Sequence, residues 1–308
     1  MASGQRIEAR RLTKRYGATI AVDGLSFEVV PGLVTGFIGP NGAGKTTTMR
    51  LILGLDHPSA GAVTVGGRAY RDLPAPLREV GALIDAKVLH PSRTAEHFLL
   101  CLAQSNGIPG SRVNEVIALV GLESVAHKKV GGFSLGMSQR LGIAGAPLGD
   151  PGVLMFDEPV NGLDPEGIVW IRQLMRSLAS EGRTVFVSSH LMTEMALTAD
   201  HVIVIGRGKL LRDEGMADFI ESSTERWVLV RSPQLGELSA ALSAAGARVK
   251  HGTDHSVEVA GLDAAAIGDL AAAHGVTLHE LATQGASLED AFMDLTSESI
   301  EFRTNQEA

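Results

Sequence analysis

The chain has 308 residues, 44% hydrophobic and 20% charged, with a net charge of −8; this balance excludes a disordered chain and argues against a nucleic-acid partner, which needs clustered lysine and arginine. No apolar stretch reaches the roughly 18–20 residues that cross a bilayer, since Gly149–Val160 is broken by Asp157, Glu158 and two prolines. The first residues carry no apolar signal core and the one cysteine, Cys101, allows no internal disulfide, so the chain reads as cytoplasmic and Cys101 as a small buried hydrophobe.

In chain order, Leu33–Ile38 reads as a buried strand and Lys45–Gly54 as a helix, with a glycine-rich loop between them. Strands follow at Ala62–Val65 and Val80–Ile84. From Asp85 to Asp150 the strand pattern gives way to helices at Ala95–Ser105, Arg112–Val120 and Ser138–Ala146, which reads as an inserted helical subdomain over about residues 86–150. Strands return at Val153–Phe156, expected beside the strand of the glycine-rich loop, and at Thr184–Val187 and His201–Ile205. Helices at Glu166–Ala179 and Leu191–Leu197 separate them. The alternation predicts an α/β core with a mainly parallel sheet, whose ligands sit at the carboxyl ends of the strands.

From about Glu225 the texture changes. Strands at Arg226–Arg231, Ala247–His251, Ser256–Val259 and Thr277–Leu281 interleave with helices at Gln234–Ala245 and Ala264–Ala273. That β-α-β-β-α-β order suggests a small ferredoxin-like module, followed by an amphipathic helix at Ser287–Leu295. The expected division is a domain over residues 1–222 and an accessory α+β domain over 223–308.

Residues 39–46, Gly39-Pro40-Asn41-Gly42-Ala43-Gly44-Lys45-Thr46, form a complete G-x-x-x-x-G-K-T loop between strand and helix, the context that gives this motif its meaning. The glycines let the backbone turn its N–H groups towards a triphosphate, and the helix start adds its positive dipole end. Lys45 supplies a mobile positive charge and Thr46 a hydroxyl for Mg²⁺. Val-Leu-Met-Phe-Asp157-Glu158-Pro159 is an apolar run ending in two acids. In nucleotide enzymes such a pair holds Mg²⁺ through Asp157 and activates the attacking water through Glu158. Alone, it reads equally well as a solvated strand-end turn.

It is accompanied by Phe133-Ser134-Leu135-Gly136-Met137-Ser138-Gln139-Arg140 upstream, by Leu163-Asp164 downstream, and by Ser188-Ser189-His190 after the next strand. In this order the motifs resemble those of the ATP-binding-cassette (ABC) family over roughly residues 6–220. The resemblance implies a P-loop ABC cassette that hydrolyses ATP with Mg²⁺ as a head-to-tail homodimer. Each phosphate loop, with Thr47 binding ATP beside residues 39–46, would face the partner's signature loop, Ser134, Leu135, Gly136 and Met137. It further implies catalytic roles for Lys45, Glu158 and His190, with His190 as the γ-phosphate sensor. Asp164 would carry communication across the dimer, and Tyr16 would form the adenine platform. Two positions depart from the family pattern: Met137 replaces the signature glutamine, and Asp85 stands where a glutamine usually touches Mg²⁺ and the membrane partner. Both resemble bacterial exporters of the drug- and antibiotic-resistance type. The implied partner is a separate integral-membrane permease, with this chain peripheral on the inner face of the membrane and no nucleic acid bound. The alternative is a soluble ABC ATPase, translation- or DNA-associated and not tied to transport.

Overall fold

A computed structural model describes residues 4–84, 90–223, 226–252, 256–285 and 288–296. They fall into two units, Met1–Asp218 with Leu295–Ala308, and Phe219–Asp294.

The first unit begins with β1 (Ile7–Tyr16) and β2 (Thr19–Val29), an antiparallel pair absent from the sequence expectations. Charged residues crowd β1, and its register with β2 shifts between Ala9 and Leu12, Leu12 and Lys14, and Lys14 and Arg15. Each shift breaks the two-residue alternation by which a half-buried strand is recognised. Next come β3 (Val34–Ile38), α1 (Lys45–Ile52) and β4 (Ala60–Val65). β4 pairs with β1, so this predicted strand belongs to a three-stranded antiparallel sheet, β2-β1-β4, and not to the parallel core.

The chain continues through α2 (Pro76–Glu79), β5 (Val80–Leu83), α3 (Ala95–Ser105), α4 (Ser111–Leu119) and α5 (Leu135–Gly145). It then forms β6 (Val153–Asp157), α6 (Pro165–Ser180), β7 (Thr184–Ser189), α7 (Met192–Ala196), β8 (His201–Gly206), β9 (Lys209–Gly215) and α8 (Met216–Ser223). The central sheet has six strands in the order β5-β6-β7-β3-β8-β9, all parallel except the edge strand β9. Every residue of β3, β6 and β7 is buried, as expected of parallel strands covered on both faces. The expectation that β6 lies beside β3 is corrected: β7 stands between them. Apolar runs identify interior strands but carry no information on their order in the sheet.

Phe27 of β2 stacks on Phe186 of β7 at 6.0 Å, and Phe37 of β3 lies 5.6 Å from Phe27 and 5.1 Å from Phe186. This triad welds the antiparallel sheet to the parallel one; each buried ring contributes about 1.5–3 kcal/mol. Helices α3, α4 and α5 pack on one another. A Cβ on Gly81 of β5 would stand 1.9 Å from the Ala146 carbonyl oxygen, so glycine is what allows the chain end of α5 to press against that strand. Cys101 is exposed, contrary to expectation. The buried residues of α3 are Ala95, Leu99 and Ala103, and residue 101 falls on the opposite face. Helix α5 starts at Leu135, three residues before the expected Ser138, because Ser134 caps it.

In the second unit β10 (Arg226–Arg231), α9 (Leu235–Ala244), β11 (Arg248–His251), β12 (Ser256–Ala260), α10 (Ala264–Ala273) and β13 (Glu280–Gly285) build an antiparallel sheet in the order β11-β12-β10-β13. Its two helices pack together over a core that includes Val228, Val230, Leu242, Val257, Val259 and Ile267. β13 begins three residues later than the expected Thr277, and α11 (Leu288–Thr296) follows. Among the described residues no helix is long and apolar enough to cross a membrane.

Candidate functional site

The glycine-rich loop joins β3 to α1 at the carboxyl edge of the parallel sheet. Gly42 and Gly44 have φ of 82° and 104°, a left-handed backbone that other residues rarely adopt. A Cβ on Gly44 would lie 2.4 Å from the Ala21 carbonyl oxygen, and one on Gly39 would lie 2.6 Å from that of Ile205. The loop therefore threads between β2 and the end of β8 with no room for side chains at these points. Gly44 gives α1 no side-chain cap, which leaves the first-turn N–H groups able to take an anion.

Pro40, Asn41, Gly42, Ala43, Gly44, Lys45, Thr46 and Thr47 line a cavity of about 230 Å³ together with Ala21 and Glu158. Lys45 is buried; its Nζ donates to the carbonyl oxygens of Gly39 at 2.6 Å and Pro40 at 3.3 Å. The same atom lies 3.4 Å from Glu158 Oε1. Burial lowers the Lys45 pKa below the ordinary lysine range, and the neighbouring Glu158 carboxylate opposes that shift.

β6 and β7 deliver the acids. Asp157 pairs with Ser188 in the β6–β7 ladder, and Ser188 pairs with Phe37 in the next. Ser188, fully buried, donates through Oγ to Asp157 Oδ1 and accepts the Glu158 N–H at 3.0 Å. Thr46 Oγ1 donates to Asp157 Oδ2 at 2.6 Å. Burial raises the Asp157 pKa above the usual carboxylate range, against the hydrogen bonds from Ser188 and Thr46. A hydroxyl and a buried carboxylate converging in this way are hard oxygen donors whose charge a divalent cation would balance, so these residues fit Mg²⁺. Among the described residues no cluster of three or more His, Cys, Asp and Glu could hold a metal by itself.

Glu158 adopts φ of 49°, a conformation costing about 1–3 kcal/mol in a non-glycine residue and concentrated at functional sites. It aims the carboxylate between two partners, Lys45 on one oxygen and His190 Nδ1, 2.8 Å from the other.

The remaining described sequence candidates lie outside the cavity lining. Ser134 caps α5 by accepting the Met137 N–H at 3.2 Å, and Leu135 beside it is 64% exposed. Gly136 faces the Gly162 carbonyl, which a Cβ would approach to 3.2 Å. Asp164 caps α6 by accepting the Gly167 N–H at 2.9 Å, a structural task that the sequence reading does not assign to it. Tyr16 is half-exposed; its hydroxyl donates to Asp56 Oδ2 at 2.9 Å, and Lys14 Nζ stands 4.8 Å from its ring centroid. Asp85 lies outside the described residues.

Two site residues escape sequence reasoning. Ser188 is visible only as part of a strand-end Ser-Ser pair, with no signal that its hydroxyl would join both acids. Gln139, buried on α5, donates through Nε2 to the Pro159 carbonyl at 3.0 Å. A buried amide on a helix facing a loop twenty residues away in the chain has no local signature.

The family model described as "ABC transporter" matches residues 22–161, and one described as a domain of unknown function matches residues 226–289. The bacitracin transport ATP-binding protein BcrA of Bacillus licheniformis is 44% identical over 210 residues, covering 67% of this chain and 69% of the relative. The Nod factor export ATP-binding protein I of Burkholderia pseudomallei (strain K96243) is 37% identical over 223 residues, covering 70% of this chain and 73% of its own. Among solved structures, the dimeric bacterial ABC transporter cassette MJ0796 superposes with a TM-score of 0.62 at 25% identity, covering 68% of this chain and 98% of that one.

Proposed function

The chain belongs to the ABC transporter family as an ATP-binding, ATP-hydrolysing subunit, and from that premise we propose that it powers export through a separate integral-membrane permease. The observation that carries the catalytic half of this reading is the line Lys45–Glu158–His190 at the phosphate-loop cavity. Lys45 and the loop amides would hold the β- and γ-phosphates. Glu158 would take the proton of a water attacking the γ-phosphorus as the bond to the leaving diphosphate oxygen breaks. His190, bonded to Glu158, would hold that carboxylate in place and meet the γ-phosphate. Thr46 and Asp157 would hold Mg²⁺, with Asp85 as a further ligand; the cation would neutralise charge on the phosphates.

Tyr16 would stack on adenine; its exposed ring and anchored hydroxyl support that role. Ser134, Leu135, Gly136 and Met137 begin a capped helix and stand apart from the chain's own cavity. This supports their meeting ATP held by a second copy, as does the dimeric state of the similar cassette. Asp164 would then lie where the two copies communicate. The exporter direction rests on likeness to the export ATP-binding relative. Such a subunit would sit on the inner face of the cell membrane. We further read residues 223–308 as an accessory domain with a ferredoxin-like module, a reading supported by the β-α-β-β-α-β order and the β11-β12-β10-β13 sheet.

Purification of the tagged chain from detergent-solubilised native membranes tests the transport reading. A stoichiometric multi-span partner is the expected result. Recovery only without a membrane protein, alone or with ribosomes or DNA, would overturn it.

A further inference from the structure

The helix that opens with the signature residues is bound within its own chain to the loop that carries the general base. Three contacts tie it to that loop and to the helix that follows. Gln139 Nε2 donates to the carbonyl of Pro159, the residue directly after Glu158. Leu135 and Gly136 press on Gly162; a Cβ there would come within 2.5 Å of Leu135 Cγ. One turn along, the Arg140 guanidinium lies 4.6 Å from the Trp170 ring centroid on α6, the helix that Asp164 caps. Two of the contacts fall within the loop from Glu158 to Asp164, and the third fixes the helix beyond it.

Of these, only the Gln139 bond reaches the residue next to the base. Glu158 stands in a left-handed conformation, which persists only where its surroundings hold it. Its own N–H is tied back to Ser188, so the peptide on its amino side is fixed by β7. On the carboxyl side the Glu158 carbonyl accepts the Asn161 N–H at 3.2 Å, the Pro159 nitrogen has no proton to donate, and the Pro159 carbonyl is the next acceptor along the chain. Gln139 holds that carbonyl from a buried position. An unpaired buried amide and carbonyl there would each be costly, so the loop and helix move as one piece unless the bond breaks.

We infer that Gln139 is a positioning residue for ATP hydrolysis: it clasps the signature helix to the Glu158–Pro159 turn, so that engagement of Ser134 by a second copy's nucleotide is felt at this chain's own general base. The inference rests on the catalytic reading given above and deepens it. Acting through Pro159, Gln139 need not touch the nucleotide.

The test is steady-state ATP hydrolysis by the full chain with Mg²⁺, comparing wild type, Gln139→Met and Gln139→Glu. The methionine keeps the length of the side chain without a donor; the glutamate changes a single atom. Turnover is normalised to nucleotide-binding sites counted by titration with labelled ATP. For both variants kcat per site should fall about tenfold while KM stays within about twofold. A merely structural role would instead lower the site count and the Tm and leave kcat per site unchanged. Unaltered kcat per site in either folded variant overturns the inference, as does a change confined to KM. Hydrolysis by wild type that survives Glu158→Gln would instead refute the catalytic reading, leaving the two failures distinguishable.

Discussion

Replacing Glu158 with glutamine removes one negative charge and, among the described residues, the only carboxylate lining the phosphate-loop cavity, while keeping an amide able to bond His190 Nδ1. Loss of a positioned base costs about 10²–10⁴ in rate, which is about 3–5 kcal/mol of barrier. The ion pair also goes. At 3.4 Å and an effective dielectric of about 20, its gross attraction is about 5 kcal/mol, largely offset because the variant no longer desolvates a carboxylate and Lys45 keeps its bonds to the Gly39 and Pro40 carbonyls. The fold should therefore change little, by less than about 5 °C in Tm. Lys45 gives a second readout. Its pKa is lowered by burial and held up by Glu158, so the glutamine variant should lower it further. The lysine charge is lost as pH rises through that lowered pKa, and the alkaline fall in nucleotide affinity should begin at lower pH in the variant. Phosphate release under single-turnover conditions measures the first effect, and nucleotide titration between about pH 7 and 10 the second. A variant with kcat within threefold of wild type would refute the assignment of the base. An unshifted alkaline limb would refute the Lys45–Glu158 coupling.

Other changes probe the neighbouring parts. Ser188→Ala removes the hydroxyl shared by Asp157 and the Glu158 N–H; about 2–4 kcal/mol of stability should be lost, with a higher Mg²⁺ requirement, and an unchanged Tm by calorimetry would contradict the shared-bond account. Gly39→Ala forces a Cβ to within 2.6 Å of the Ile205 oxygen, so a loss of about 1–3 kcal/mol and of ATP binding is expected; full binding by calorimetry would show that the loop has more room than described. Ser134→Arg places bulk and charge at the start of α5 and should abolish the ATP-dependent dimer formed by the Glu158→Gln protein; a dimer by light scattering would remove the signature loop from the interface.

Much of the site was legible because its chemistry is local. The glycines, Lys45 and Thr46 adjoin in the chain, and the two acids follow an apolar strand that nothing else explains. What the residues could not reveal was lateral. The order β6-β7-β3 depends on crossovers, so Ser188 opposite Asp157 emerges only when the strands are laid side by side. β1 was hidden by its bulges, and β9, with the pattern Lys-Leu-Leu-Arg-Asp-Glu-Gly and no fully buried residue, looks like a loop. The motif points Ser134 at a phosphate, yet its capping bond, which sets where α5 begins, is masked by the glycines of the helix, which weaken any helical pattern. The exposure of Cys101 is not legible from composition, which speaks of averages, whereas a helix has faces.

The placement of β7 between β3 and β6 has one more effect. Adjacent strands lie about 4.8 Å apart, so the phosphate loop and the acids are held two ladder spacings from each other, with Ser188 on the middle rung. The gauge of the site is therefore cut into the backbone of three hydrogen-bonded strands. Turns around it can lengthen, shorten or exchange residues, and the reach from lysine to carboxylate stays the same.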